Sequence, residues 1–566
     1  MEKIKRNKLM IGGVSAAVII LIIVAALVVK KLTPNKEVMD LTEYYQVDSD
    51  KVLVVLQNQI AEEQGLLIDG TVYVSYNIVS EYLNKRFYWD ENENILIYTT
   101  QTEVVKTEIG SSDYYVNKSK KNVDYQIVKT TGNQVYIALD YVNLFSNIEY
   151  EFFETPNRVV IQYDWGNDYL YSEVKKDTQL RYSASIKSKV LVQLKKKDIL
   201  NYVDTEEAKD SKFRKVMTSD GVIGYVKTKY VTEAEYKTLE NDYVEEEYSH
   251  ITKEYTISLG WHQVTNQDAN NNLLTVLDQS KGINTISPTW FSVSGNEGTI
   301  TSLASERYVE RAHNAGIEVW ALCDDFNKEV DMHEILSYTS RREKLANELI
   351  ASAIKYELDG LNIDFENITA SSAKHYVQFL RELSIKCRNN GIVLSVDNYV
   401  PAPYNSFYDL EEQGKVVDYV VVMAYDEHHA NSEESGSVSS ITFFQEAIKN
   451  TVESVPKEKV VIGLPFYARI WIEKEDGTLS TTAYSMGQIK SILEANQAEK
   501  AWEEETGQYY AQFQTEEGLN KVWIEDERSI ELKMKAVSDA GAAGMAYWKL
   551  GMETSSIWNV IQKFVN

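Results

Sequence analysis

From about Tyr255 to the C-terminus, short apolar runs alternate with longer segments whose apolar positions recur at helical spacing. This βαβα order predicts a parallel sheet covered by helices. The apolar runs predict eight strands: Tyr255–Trp261, Thr285–Phe291, Glu318–Cys323, Gly360–Glu366, Val393–Asn398, Tyr419–Tyr425, Val460–Pro465 and Gly544–Trp548. Eight such units in about 310 residues predict an α/β fold of the (β/α)8 barrel type. The first six spacings between strand starts run about 26 to 42 residues and the last is near 80, so an inserted α+β subdomain is expected over about 467–526.

Upstream the pattern changes character. Leu9 to Val29 carries no charge, and as a helix of about 21 residues it would span roughly 31 Å, the thickness of a bilayer's hydrocarbon core. Lys3, Lys5, Arg6 and Lys8 precede it, and the basic residues after it are soon diluted by Glu37, Asp40 and Glu43. The positive-inside bias therefore predicts a cytoplasmic tail at 1–8, a transmembrane helix at 9–29 and the remainder outside the cell. A cleaved signal peptide is the alternative, although the apolar run exceeds the usual length and no A-x-A-like site follows it.

Residues 69–98 and 132–163 read as two copies of one unit. Val72, Tyr73, Val79 and Asn84 match Val135, Tyr136, Val142 and Asn147, each pair 63 positions apart. Each copy predicts a strand, a short amphipathic helix and two further strands. The duplicated region, 38–165, resembles the small domain shared with the N-terminal module of copper amine oxidases. That name implies no copper here, because the region contains neither His nor Cys. A spacer or binding module is expected. Residues 175–232 alternate apolar and polar at short intervals, and DGVIGYV at 220–226 resembles a bacterial SH3-like domain, so a small β-barrel is expected there. The acidic stretch 233–250 reads as a solvated linker helix, and 251–566 as the catalytic domain.

Composition narrows the function classes. Lys+Arg number 58 against Asp+Glu 85, a net charge of −27, which supplies no basic footprint for nucleic acid. Two cysteines, Cys323 and Cys387, without a CxxC, build neither a disulfide framework nor a thiolate zinc cluster and are expected to be free thiols. Seven histidines are scattered. Their one adjacent pair, His428-His429, lacks evident further ligands, so no metal or cofactor is expected.

The fourth strand reads Asp359-Gly360-Leu361-Asn362-Ile363-Asp364-Phe365-Glu366. Alternation turns Leu361, Ile363 and Phe365 toward the outer helices and Asn362, Asp364 and Glu366 into the barrel. Burying three polar groups costs free energy unless each is satisfied, and Glu366 falls at the strand's C-terminal end, where barrel enzymes place catalytic groups. Desolvation and the neighbouring Asp364 should raise the pKa of Glu366, making it a candidate general acid. A buried ion pair or cation site is the competing reading.

DGLNIDFE resembles the DGxDxDxE signature of glycoside hydrolase family 18, the chitinase and endo-N-acetylglucosaminidase family. MAYDEH at 423–428, GLPFYAR at 463–469 and GMAYWKLG at 544–551 are similar to that family's sixth-, seventh- and eighth-strand motifs, in order. The resemblance implies substrate-assisted hydrolysis with retention: Glu366 as acid/base, Asp364 orienting the sugar's 2-acetamido group, and Tyr425 bonding its carbonyl oxygen. It also implies Trp548 beneath the sugar ring and Asp426 on its hydroxyls, with Tyr467, Arg469 and Trp290 as further candidates. Asn362 stands where the common pattern has Asp, and it is taken with the substrate-binding residues. This NxDxE form is similar to the bacterial spore-cortex-lytic branch, which favours peptidoglycan-type N-acetylglucosamine polymers over chitin as partner. The alternative is a catalytically weak or silent chitin- or peptidoglycan-binding surface protein of the same fold.

Overall fold

The computed structural model describes residues 2–203 and 212–565, with side chains from residue 14 onward. The side chains of the expected tail and of residues 9–13, and residues 204–211 of the expected SH3-like segment, lie outside the described residues. The chain divides into two compact units, Met1–Trp89 with Thr107–Glu245, and Asp90–Lys106 with Glu246–Asn566.

In the first unit a helix, Glu2–Leu32, contains an apolar stretch Val14–Leu32 that is exposed along its whole length and long enough to cross a membrane. The duplicated segments share one sheet. Thr71–Ser75 of the first copy pairs antiparallel with Gln134–Ala138 of the second, through Ile137↔Val74 and Ala138↔Tyr73. On the far side, Arg158–Gln162 of the second copy runs parallel to Lys51–Leu56. Ser75 accepts a hydrogen bond from Ile78 N and so caps the short helix after the first strand.

Seven strands, the first Asp168–Glu173 and the last Glu235–Thr238, form one sheet around Val174, Leu180, Leu194, Leu200, Val216 and Val226. Its outermost strand corrects the expected linker helix. Glu235–Thr238 is extended and pairs antiparallel with Asp168–Glu173. All four residues of that segment are exposed. No apolar stripe holds a helix against a core there, whereas a sheet edge satisfies the backbone and tolerates charge.

The second unit is a closed eight-stranded parallel barrel: β1 Ile257–His262, β2 Thr285–Gly295, β3 Glu318–Asp324, β4 Gly360–Asp364, β5 Val393–Tyr399, β6 Tyr419–Met423, β7 Val460–Pro465 and β8 Gly544–Trp548. β8 closes on β1 in the register Ile257↔Gly544 to Gly260↔Tyr547. Leu361, Ile363 and Phe365 join the core between barrel and helices. Trp320, Leu322, Tyr419 and Val421 fill the interior. Gly360 is required by this packing, since a Cβ there would sit 2.7 Å from the Trp320 indole, which stacks on Tyr419. Both cysteines are buried and unpaired, Cys323 in β3 and Cys387 in the helix Ala373–Asn389.

Between β7 and β8 the chain leaves the barrel to form a five-stranded antiparallel sheet, from Tyr467–Glu473 to Gly518–Ile524, packed on the helix Met486–Ala495. Ser485 opens that helix with a reciprocal capping box to Gln488.

Candidate active site

A cavity of about 660 Å³ opens at the C-terminal ends of the strands, the end where barrel enzymes carry their chemistry. Glu366, Asp364, Tyr425, Asp426, Tyr467 and Trp548 all line it.

β4 ends at Asp364, so Glu366 sits two residues beyond the last strand residue and depends on neighbouring groups for its position. Asp325, just past β3, supplies them. Its two carboxylate oxygens accept hydrogen bonds from Glu366 N and Asn367 N, both at 3.0 Å, and Asn367 Nδ2 donates to Oδ1 at 3.0 Å. Tyr408 Oη donates to the carbonyl of Phe365 at 3.2 Å. The carboxylate of Glu366 accepts a hydrogen bond from Tyr399 Oη. Burial raises the Glu366 pKa above the usual range; the Tyr399 bond opposes this, and the charges of Asp325, Asp426 and Asp324 add to it.

Asn362 does not reach the cavity, which corrects its assignment to the sugar-contacting set. It is 0% exposed and fully saturated. Its Oδ1 accepts from Trp261 Nε1 (3.0 Å) and Ser287 Oγ (3.1 Å), while its Nδ2 donates to Ser395 Oγ (3.0 Å) and Asp397 Oδ1 (2.7 Å). Alternation places residue 362 on the inner face but says nothing of depth, and two residues below Asp364 the interior is closed by side chains. Trp290 is likewise core: it donates to Asn270 Oδ1 at 2.8 Å and packs edge-on against Tyr308.

Asp364 is nearly buried and its Oδ1 has no hydrogen-bond partner. Burial raises its pKa well above the carboxylate range, reinforced by Asp397 and then Glu366. Asp397, absent from the expectations, lines the same cavity and has its pKa pushed up to about 8, chiefly by burial. Five carboxyls line the cavity, from Asp364, Glu366, Asp397, Asp426 and Glu427; among the described residues no Lys or Arg does, His429 being the one basic side chain.

Aromatic side chains form the rest of the wall. Trp548 meets Trp261 edge to face at 5.9 Å, and its peptide bond to Lys549 is cis. Tyr425 packs edge-on to Tyr467, whose hydroxyl donates to Asp426 Oδ1 at 2.6 Å. Asp426 adopts φ 58°, a left-handed conformation uncommon outside glycine, and Arg469 Nη2 lies 3.7 Å from its Oδ1. Phe326 and Tyr404 are exposed at the cavity's edge. His428 is turned aside, its Nδ1 at 2.9 Å from the carbonyl of Ser437.

A family model described as "Glycosyl hydrolases family 18" matches residues 222–553, more than half of the chain. The protein belongs to that family. A model described as "Copper amine oxidase N-terminal domain" matches residues 54–161. An uncharacterized glycosylase of Bacillus subtilis is 27% identical to this glycosidase over 296 residues, covering 50% of this chain and 84% of that one. A cortical fragment-lytic enzyme of the same organism is 26% identical over 244 residues, covering 41% of this chain and 56% of that one, so the match spans about half that relative's length. The crystal structure of a Bacillus cereus spore cortex-lytic enzyme superposes with a TM-score of 0.50 at 19% identity, covering 55% of this chain and 74% of that one; it shares the fold.

Proposed function

We propose that this family 18 hydrolase is anchored in the membrane by its N-terminal helix, faces outward, and cleaves β-linked N-acetylglucosamine polymers by a retaining, substrate-assisted mechanism. Peptidoglycan is the proposed polymer, with chitin-like chains as the second candidate. One observation carries the reading: Glu366 lines a cavity at the C-terminal ends of the barrel strands that, among the described residues, no Lys or Arg lines, and burial raises its pKa, the direction a general acid needs.

In this mechanism Glu366 protonates the glycosidic oxygen while the acetamido carbonyl oxygen of the same sugar bonds to C1, and the leaving sugar departs as the alcohol. Asp364, as the carboxylate, holds the acetamido N–H and offsets the positive charge of the oxazolinium ion. Tyr425 steadies the acetamido oxygen. Glu366, now ionised, takes a proton from water, which opens the ring at C1 and restores the acid with net retention. Trp548 offers a flat apolar face to the pyranose, and Asp426 accepts hydrogen bonds from its hydroxyls. The outward orientation rests on the exposed apolar helix and on the basic residues preceding it. The similarity to a cortical fragment-lytic enzyme supports a cell-wall polymer.

Mass spectrometry of products from purified peptidoglycan and from chitin oligomers tests the reading. Glu366→Gln should lower turnover by about 10²- to 10⁴-fold with the fold intact. A wild-type protein that binds these polymers and releases nothing would establish the carbohydrate-binding alternative.

A further inference from the structure

β4 and β5 run parallel in the register Asn362↔Ser395 and Ile363↔Val396. One step further along, Asp364 and Asp397 lie side by side, and alternation turns both into the barrel. They are 5% and 3% exposed. The groups around them offer little to neutralise two charges. Asp324 and Asp325 face them from β3 and the turn after it, Glu366 from the end of β4, and Tyr399 from β5. Beyond β6 stand Tyr425 and Asp426, and Tyr467 comes from the insertion. Arg469 is held on Asp426 at 3.7 Å. Two neighbouring buried carboxyls without a cation cannot both ionise. Asn362 settles which oxygen is already occupied: its Nδ2–H is given to Asp397 Oδ1, so that oxygen is an acceptor, while Asp364 Oδ1 has no partner.

We propose that Asp364 and Asp397 share one proton, and that Asp397 is a positioning residue which takes that proton when substrate enters, leaving Asp364 as the carboxylate facing the acetamido group. The carboxyl that tunes Asp364 thus comes from the neighbouring strand, and the amide at position 362 fixes its orientation. No other group changes protonation in this step: one O–H bond breaks on Asp364 and one forms on Asp397. The inference rests on the proposed roles of Glu366 and Asp364.

The test uses the full chain and the variants Asp397→Asn, Asn362→Asp and the double exchange Asn362→Asp/Asp397→Asn. Kinetics on N-acetylglucosamine oligomers across pH should show Asp397→Asn lowering kcat by about 10²-fold with a smaller change in KM and an altered pH profile. The double exchange should recover at least tenfold of that loss, because it returns a second carboxyl to the pair from position 362. Infrared titration without substrate, in the Glu366→Gln background, should show a protonated-carboxyl band at pH 7 that Asp397→Asn removes. The proposal is overturned if Asp397→Asn keeps the parental kcat and pH profile, if the double exchange does no better than Asp397→Asn, or if that band is absent. If Glu366→Gln hydrolyses as fast as the parent, the proposed function fails instead, and the infrared result still decides the shared proton.

Discussion

Asp325 touches no substrate position in the scheme above, yet it sets where Glu366 stands, and Asp325→Ala tests that dependence. The substitution removes the acceptor for three donors, Glu366 N, Asn367 N and Asn367 Nδ2, each at 3.0 Å. Hydrogen bonds to an ionised acceptor contribute about 1.5 kcal/mol or more apiece, but the exposed side of Asn367 lets water replace part of this. Removing a buried carboxylate returns some desolvation free energy as well, so the net loss should be about 2 kcal/mol. At roughly 2 °C per kcal/mol for a domain of this size, Tm of the barrel should fall by about 4 °C. The kinetic effect should be larger than the thermal one. A proton donor displaced by about 1 Å forfeits about 10²-fold in rate. Asp325→Asn keeps one acceptor oxygen and should show about half the thermal effect; it also removes a charge that raises the Glu366 pKa, so the alkaline limb of its pH profile should move to lower pH. Differential scanning calorimetry and kcat measured on the same preparations read both effects. An Asp325→Ala protein with lowered Tm and unchanged kcat would refute the positioning argument.

Other consequences can be measured directly. Asp364 and Asp397 together hold one proton in the folded chain, with the Asp397 carboxyl pushed up to about 8, and the unfolded state releases that proton near pH 4. The associated stability is fully present below about pH 4 and is lost as pH rises toward about 8, and melting curves of Asp397→Asn should show a shallower decline across that window. Trp548→Ala should raise KM by about tenfold or more, as expected for loss of stacking worth roughly 1 to 3 kcal/mol, with a smaller fall in kcat; oligosaccharide kinetics separate the two. Ile20→Arg with Leu21→Arg places two charges at the centre of the apolar helix, each opposing insertion by about 2.5 to 3.5 kcal/mol, and should move the protein out of the membrane fraction on carbonate extraction.

The barrel was legible because its strands are near-continuous apolar runs of similar length separated by helical periodicity. Leu361, Ile363 and Phe365 against Asn362 and Asp364 follow directly from alternation. Alternation carries no depth, however, which is why Asn362 read as a sugar contact when it lies beneath the cavity with every hydrogen bond made internally. The same rule applied to VLSVDNY in β5 would have turned Ser395, Asp397 and Tyr399 inward and placed Asp397 among the candidates. Asp325 and Phe326 follow a strand rather than lie in one, so no periodicity marks them; only their place at the C-terminal end of β3 could have. The extended segment at Glu235–Thr238 takes its conformation from a partner strand distant in sequence, a relation that local composition does not contain.

The crowd of acids around Glu366 also acts on what enters. With five acidic side chains on its wall and, among the described residues, His429 as the one basic side chain, the cavity presents a negative potential to an incoming chain. A second anion brought within about 6 Å of one ionised carboxylate meets repulsion of roughly 3 kcal/mol at an effective dielectric of 20. For the proposed mechanism on a polymer that alternates neutral and acid-bearing rings, such a filter selects the register: the uncharged ring is the one admitted beside Glu366, and its anionic neighbour is left toward solvent.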